Sequence, residues 1–154
     1  MTWVFKPYEG ISNITFGQTR EDVERMLGQP SKVKQTYTGK TRLEYSTSMP
    51  AFVFADRMLI EINLLPDISE PFEYMGMNLF ATAEDAVLGG LMRYDPDIRE
   101  SNGFLIFFGL GLALTGFHDG MREQKAITIF SHNHHWTEKR AIMRPVGHSL
   151  KAPR

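Results

Sequence analysis

Phe16-Gly17-Gln18-Thr19-Arg20-Glu21-Asp22-Val23-Glu24-Arg25-Met26-Leu27-Gly28-Gln29-Pro30 spells a short helix with both ends marked. Thr19 offers a hydroxyl to the amide three residues on, and Asp22 reaches back. Glu21 and Asp22 both occupy the first turn, where the helix dipole favours negative charge. Val23, Met26 and Leu27 form an i, i+3, i+4 apolar stripe, Gly28 suits the left-handed position after the last turn, and Pro30 stops the helix. Two turns with one buried face need a sheet to pack on, and the sequence after Pro30 supplies one.

From Pro30 the period changes from helical to alternating. Short β-like runs cover Val33 to Tyr37, Arg42 to Tyr45 and Ala51 to Phe54, with a turn at Thr38-Gly39-Lys40. Asp56-Arg57 turns the chain into Met58 to Leu65, where Ile60, Ile62 and Leu64 alternate with Glu61 and Asn63, as in a half-buried strand. Pro66 closes that strand. The stretch from Asp67 to Pro71 has two acids and a closing proline, and reads as a linker extending to residue 75.

The same grammar then returns. Thr82-Ala83-Glu84-Asp85-Ala86-Val87 echoes Thr19 to Val23 as a capping threonine, two acids and an apolar stripe in Val87, Leu88, Leu91 and Met92. This second helix ends at Asp95-Pro96, although Gly89-Gly90 costs about 1 kcal/mol per glycine relative to alanine. Strands follow at Phe104 to Phe108, Leu110 to Thr115 and Ala126 to Ser131. The expected fold is α+β, with two tandem helix-plus-antiparallel-sheet repeats at 1–66 and 76–138, a linker at 67–75 and a basic C-terminal tail at 139–154. Lys139, Arg140, Arg144, Lys151 and Arg154 make the tail basic.

The 154 residues are 42% hydrophobic and 23% charged, which is ordinary globular usage and excludes a disordered or fibrous chain. A net charge of −1 provides no field to concentrate nucleic acid or anionic lipid. With no cysteine there is no disulfide, thiolate metal site or thioether lipid, which suits a reducing compartment. The N-terminal Met1 to Gly10 has no basic stretch followed by a long apolar run, so no secretory signal is read there. The apolar run from Phe104 to Phe117 is too short for the roughly 20 residues that span a bilayer. A cytoplasmic location, with no membrane and no nucleic-acid partner, is expected.

The segment Gly10 to Val23, with Leu27-Gly28-Gln29-Pro30, resembles the SmpA/BamE-like module and the similar repeat of β-lactamase inhibitor proteins, in which a helix with a Leu-Gly-x-Pro exit precedes an antiparallel sheet. The longer arrangement, with Leu110-Gly111-Leu112 and the late Ile127-Thr128-Ile129-Phe130-Ser131, is similar to small immunity proteins of bacterial polymorphic-toxin systems. The lipid-bearing cysteine of the envelope lipoproteins is missing, so the resemblance points to the cytoplasmic relatives. It implies an immunity protein that binds and neutralises a cognate toxin. The alternatives are a scaffold or assembly module of the SmpA/BamE type without an anchor and, more distantly, a metal-dependent enzyme built on late histidines.

Catalytic spacings are weak. His132, His134 and His135 are rich in imidazole, but no cysteine or acid stands at ligand spacing, so they read as a polar strand end and no metal or cofactor is expected. Gly109, Gly111 and Gly116 lack nucleotide-loop spacing and suit a bend in a buried strand. No serine has a nucleophile-elbow context, and the pairs Glu21-Asp22 and Glu84-Asp85 are explained by first-turn positions. The chain is therefore read as a non-enzyme.

Binding surface remains. If Leu43, Tyr45, Ile60, Ile62, Ile127 and Ile129 face the helices, alternation turns Arg42, Glu44, Glu61, Asn63, Thr128, Phe130 and His132 to the other side. Charges around an exposed aromatic are what interfaces use as rim and anchor. The acidic linker, with Asp67, Glu70 and Phe72, is a second candidate surface. The bland readings are a solvated sheet face and a linker whose aromatics tuck into the core.

Overall fold

The computed structural model describes residues 2–120 and 122–146. The elements in chain order are strands β1 (Trp3–Lys6), β2 (Gly10–Ile11) and β3 (Ile14–Thr15), helix α1 (Arg20–Leu27), then strands β4 (Lys32–Gln35), β5 (Thr41–Glu44), β6 (Ala51–Ala55) and β7 (Met58–Leu64). A second series follows: β8 (Phe72–Tyr74), β9 (Met77–Asn78), α2 (Glu84–Tyr94), β10 (Ile98–Ser101), β11 (Phe104–Phe107), β12 (Leu112–Thr115) and β13 (Ala126–Phe130). Helix α3 (His135–Lys139), a 3-10 turn (Arg140–Ile142) and strand β14 (Arg144–Pro145) complete the described chain. The class is mixed α+β, dominated by sheet.

Helix α1 forms as its sequence dictates. Thr19 accepts from the Asp22 amide at 3.2 Å while the Asp22 carboxylate accepts from the Thr19 amide at 3.0 Å, closing a capping box. Those hydrogen bonds hold the Asp22 carboxyl below its usual range. Thr19→Ala is expected to cost about 1 kcal/mol, read as a lower urea midpoint with an unchanged slope. Helix α2 departs from the expected pattern. Its N-cap is Ala83 and no side chain caps it, so Thr82 is not the counterpart of Thr19. Asn78 organises the approach instead, its side-chain oxygen accepting from the amides of Phe80 and Ala81.

Two sheets result. Nine strands run in the order β14-β10-β11-β12-β13-β7-β6-β5-β4, and five short ones in the order β3-β2-β1-β8-β9. In each half of the chain a helix precedes four antiparallel strands, and the two meanders join through their last strands, β7 against β13. Val23 of α1 and Val87, Leu88 and Leu91 of α2 share one core with Trp3, Phe5, Phe72, Phe52, Leu112 and Ile129. Helices α1 and α2 and the small sheet therefore lie on one face of the large sheet, here the helix face. The other is the far face.

Three expectations are corrected. The segment 67–75 is no linker, because Phe72–Tyr74 is strand β8, parallel to β1, with Phe72 wholly buried in the shared core. Ile60 does not face the helices. Register shifts between Val53 and Phe54, so Phe54 lies opposite Leu59 and Val53 opposite Glu61. The extra residue in that bulge is Ile60, and Leu59 takes its place in the core. Finally, the basic segment from Lys139 is not a free tail as far as Val146. Arg140 pairs with Asp97, Arg144 pairs with Glu100, and β14 adds to β10. Lys151 and Arg154 lie outside the described residues.

Candidate functional site

The far face is built from two cross-strand rows. One runs Lys34, Arg42, Val53, Glu61, Phe130, and the next runs Ala51, Asn63, Thr128, Ala113, Ile106, Arg99. Sequence alternation produces both rows, and their composition divides the face in two. On β11 to β13 the residues are mainly apolar, with Ile106, Ala113 and Phe130, and toward β4 they are charged.

The apolar half is covered by the chain's own C-terminal segment. Ile106, Phe108, Ala113, Phe130 and Met143 form a second small core, with Tyr8, Phe104 and Trp136 packed against it. Trp136 meets Phe130 edge to face with ring centroids 5.3 Å apart and Phe104 at 5.0 Å. Phe130 is thus fully buried, which corrects its expected role as an exposed anchor. Strand alternation does put Phe130 on the far face, and its burial there comes from Trp136 of α3.

A polar chain crosses the boundary between the halves. Thr128 Oγ1 donates to Asn63 Oδ1 at 2.9 Å, Asn63 Nδ2 donates to Glu61 Oε2 at 2.9 Å, and Glu61 Oε1 lies 2.5 Å from His134 Nε2. The other His134 nitrogen, Nδ1, accepts from the Trp136 amide at 3.2 Å, capping α3. That bond assigns the Nε2 proton to the Glu61 contact. Burial of Glu61 works to raise its pKa, but the hydrogen bond from His134, the Asn63 amide and the charge of Lys40 outweigh it and hold the carboxyl below its ordinary value. Glu61 is therefore a partner of the chain's own α3, not the freely exposed charge expected of it.

A histidine general base needs one nitrogen oriented and the other free to reach substrate. His134 is wholly buried with both nitrogens engaged, so its geometry is that of a cap and tether. Of the neighbouring histidines, His132 stacks on Tyr8 at 3.7 Å, while His135 stacks on His134 at 4.2 Å with its Nδ1 3.3 Å from Lys40 Nζ. Among the described residues no three His, Asp or Glu side chains gather where they could hold a metal ion.

The charged half of the far face stays open. Glu44 Oε2 receives Arg42 Nε at 2.7 Å and Lys34 Nζ at 3.3 Å, and the Arg42 hydrogen bond leads the effects holding the Glu44 carboxyl below its usual range. Beside this cluster lies a cleft of about 460 Å³ whose lining includes Lys32, Arg42, Glu44, Ala51, Asn63 and Leu65. Arg42, Glu44 and Asn63 of the expected binding surface are therefore brought together. Lys32, Lys34, Ala51 and Leu65 join them, and the first two were legible as alternate positions in Lys32-Val33-Lys34-Gln35.

The remaining candidates lie elsewhere. His132 is exposed beyond the end of β13. Asp67 is exposed in the loop before β8, Glu70 lines a separate hollow of about 250 Å³, and Phe72 belongs to the helix-side core. The acidic stretch thus has no exposed aromatic at Phe72. A larger hollow of about 760 Å³ beside the start of α1 is bordered by Thr19, Arg20, Glu21 and Arg57, where the Thr19 hydroxyl is spent on the helix cap and Arg20 pairs with Glu24 at 2.5 Å.

Comparison with family models, with curated proteins and with solved structures finds no match to this chain. No helix among the described residues is long and apolar enough to cross a membrane.

Proposed function

We propose that this chain is a protein-binding module, specifically an immunity protein that neutralises a cognate bacterial toxin in the cytoplasm without catalysis of its own. The observation that carries the proposal is the division of the far face: one half is closed by α3, while the other presents Arg42, Glu44 and Lys34 around an open cleft. Charged rims around a partly apolar depression suit protein partners. The nitrogens of His134, the buried histidine best placed to suggest chemistry, are both consumed internally.

The toxin-directed part of the proposal rests on the sequence resemblance. The matching order of a helix and four strands in each half, with a shared sheet, supports reading the chain as tandem repeats of the SmpA/BamE-like and β-lactamase-inhibitor-like kind. A scaffold role of the same module is the competing function within that fold.

The test uses the product of a neighbouring toxin gene. Arg42→Glu and Glu44→Lys change half-exposed side chains, so each is expected to alter folding by no more than about 1 kcal/mol. Affinity for the toxin is expected to fall by about thirtyfold or more, the lower range for breaking a desolvated interfacial charge pair. Full affinity in both variants, measured by calorimetry, would remove the far face from the interface. Binding only to envelope assembly components would favour the scaffold reading.

A further inference from the structure

The large sheet has two ends, and the chain treats them differently. Strands β10 and β4 hold corresponding places, each the first and outermost of a four-strand meander that follows a helix. At β10 the end is closed by an added strand. Arg144 lies opposite Glu100, Pro145 opposite Arg99, and the Val146 amide donates to Ile98 O at 3.0 Å. Opposite charges fasten the addition, since Arg144 pairs with Glu100 and Arg140 with Asp97.

At β4 no strand of the described residues is added, and all four residues are exposed. The hairpin fixes which backbone groups point outward. The Thr36 amide donates to Lys40 O at 2.8 Å, and Lys34 lies opposite Arg42, so Thr36, Lys34 and Lys32 occupy the pairs bonded to β5. Val33 and Gln35 therefore aim their N–H and C=O groups away from the sheet. Lys32 and Lys34 share the far face, adjoining the open cleft, and Val33 lies on the helix face opposite Leu43. Lys34 shares Glu44 with Arg42, and Lys32 has no carboxylate partner among the described residues.

We propose that the free edge of β4 accepts an extended acidic segment of a partner protein as a further strand, with main-chain hydrogen bonds at Val33 and Gln35 and carboxylates facing Lys32 and Lys34. Strand addition of this kind takes affinity from the backbone and selectivity from alternate side chains. The closed end provides the precedent within the same chain, with the charges reversed. A second copy of this chain is disfavoured as occupant by the same lysines. Antiparallel pairing of two β4 edges through Val33 and Gln35 sets Lys34 opposite Lys34, and like charges placed so are destabilising. Edge lysines also discourage indiscriminate pairing, so an acidic strand is the occupant that relieves the repulsion.

This inference rests on the chain being a protein-binding module, and its test needs no knowledge of the toxin. The probe is a synthetic peptide alternating Glu and Val, titrated into the full chain while amide shifts and hydrogen exchange are followed by NMR. The expected result is saturable shifts with slowed exchange at the Val33 and Gln35 amides. Replacing Glu by Lys in the peptide should weaken binding about tenfold, and the double variant K32E/K34E should invert that preference. Absence of saturable change at Val33 and Gln35 would overturn the proposal. So would equal binding by a peptide whose backbone nitrogens are methylated, which would reduce the contact to charge alone. Loss of toxin binding in Arg42→Glu, alongside a peptide that fails, would leave the functional reading standing and this inference refuted.

Discussion

Phe130→Ala is expected to destabilise the protein by about 3–5 kcal/mol, the usual range for emptying a buried phenylalanine site. The side chain has no solvent exposure and is contacted on several sides, by Tyr8 at 6.0 Å, Phe108 at 6.0 Å and Trp136 at 5.3 Å between ring centroids. Tyr8 is itself fixed from its far end, its hydroxyl donating to Phe108 O. The lost ring would leave α3 with little to pack on. The measurement is the urea midpoint, paired with Trp136 fluorescence, which should move toward the solvated value before the main transition. A variant that unfolds at the original midpoint would show that the far-face core contributes little.

The second large effect concerns Glu61 and His134. His134→Ala removes the main partner of a carboxylate that is mostly withdrawn from solvent and is expected to cost about 3 kcal/mol, as when one member of a buried pair is deleted. Glu61→Gln retains an oxygen able to accept from His134 Nε2 and is expected to cost about 1 kcal/mol. The pH dependence follows from the direction of the Glu61 shift. Its folded pKa lies below the ordinary 4.5, so the stability it contributes is complete above about pH 4.5 and is lost as pH falls through the lower folded value. Acid unfolding should therefore lose part of its steepness in Glu61→Gln. Identical acid profiles for the two proteins would contradict the linkage.

The sequence revealed the parts of this architecture that are written locally. The capping box of α1, the hairpin at Gly39 and the strand periods around β5, β6, β7 and β13 all follow from residues within a few positions of one another. What stayed hidden depends on distant partners. Strand β8 is three residues long and exists because β1 lies beside it, so the prolines and acids that precede it, Pro66, Asp67, Glu70 and Pro71, read as a linker. Helix α3 spans only His135–Lys139 and is capped by a histidine, an unusual N-cap, so the imidazoles suggested a polar strand end. Without α3, Phe130 had to look exposed and Glu61 had to look free. Arg42, Glu44 and Asn63 were placed together because they lie on the half of the face that no later segment covers, where period alone decides exposure.

The joining of the two meanders through β7 and β13 orders events on the ribosome. Strands β4 to β7 can pair as they emerge, since each neighbour follows within a short turn. Strand β7 then waits with Leu64 opposite no partner until Ile127 has been synthesised, several seconds later at roughly 5–20 residues per second. Through that interval the nascent first half presents an apolar edge at β7 and a lysine-bearing one at β4. The seam between β7 and β13 closes only after the second meander has emerged, so the edge most prone to sticking is the one whose exposure synthesis rate controls.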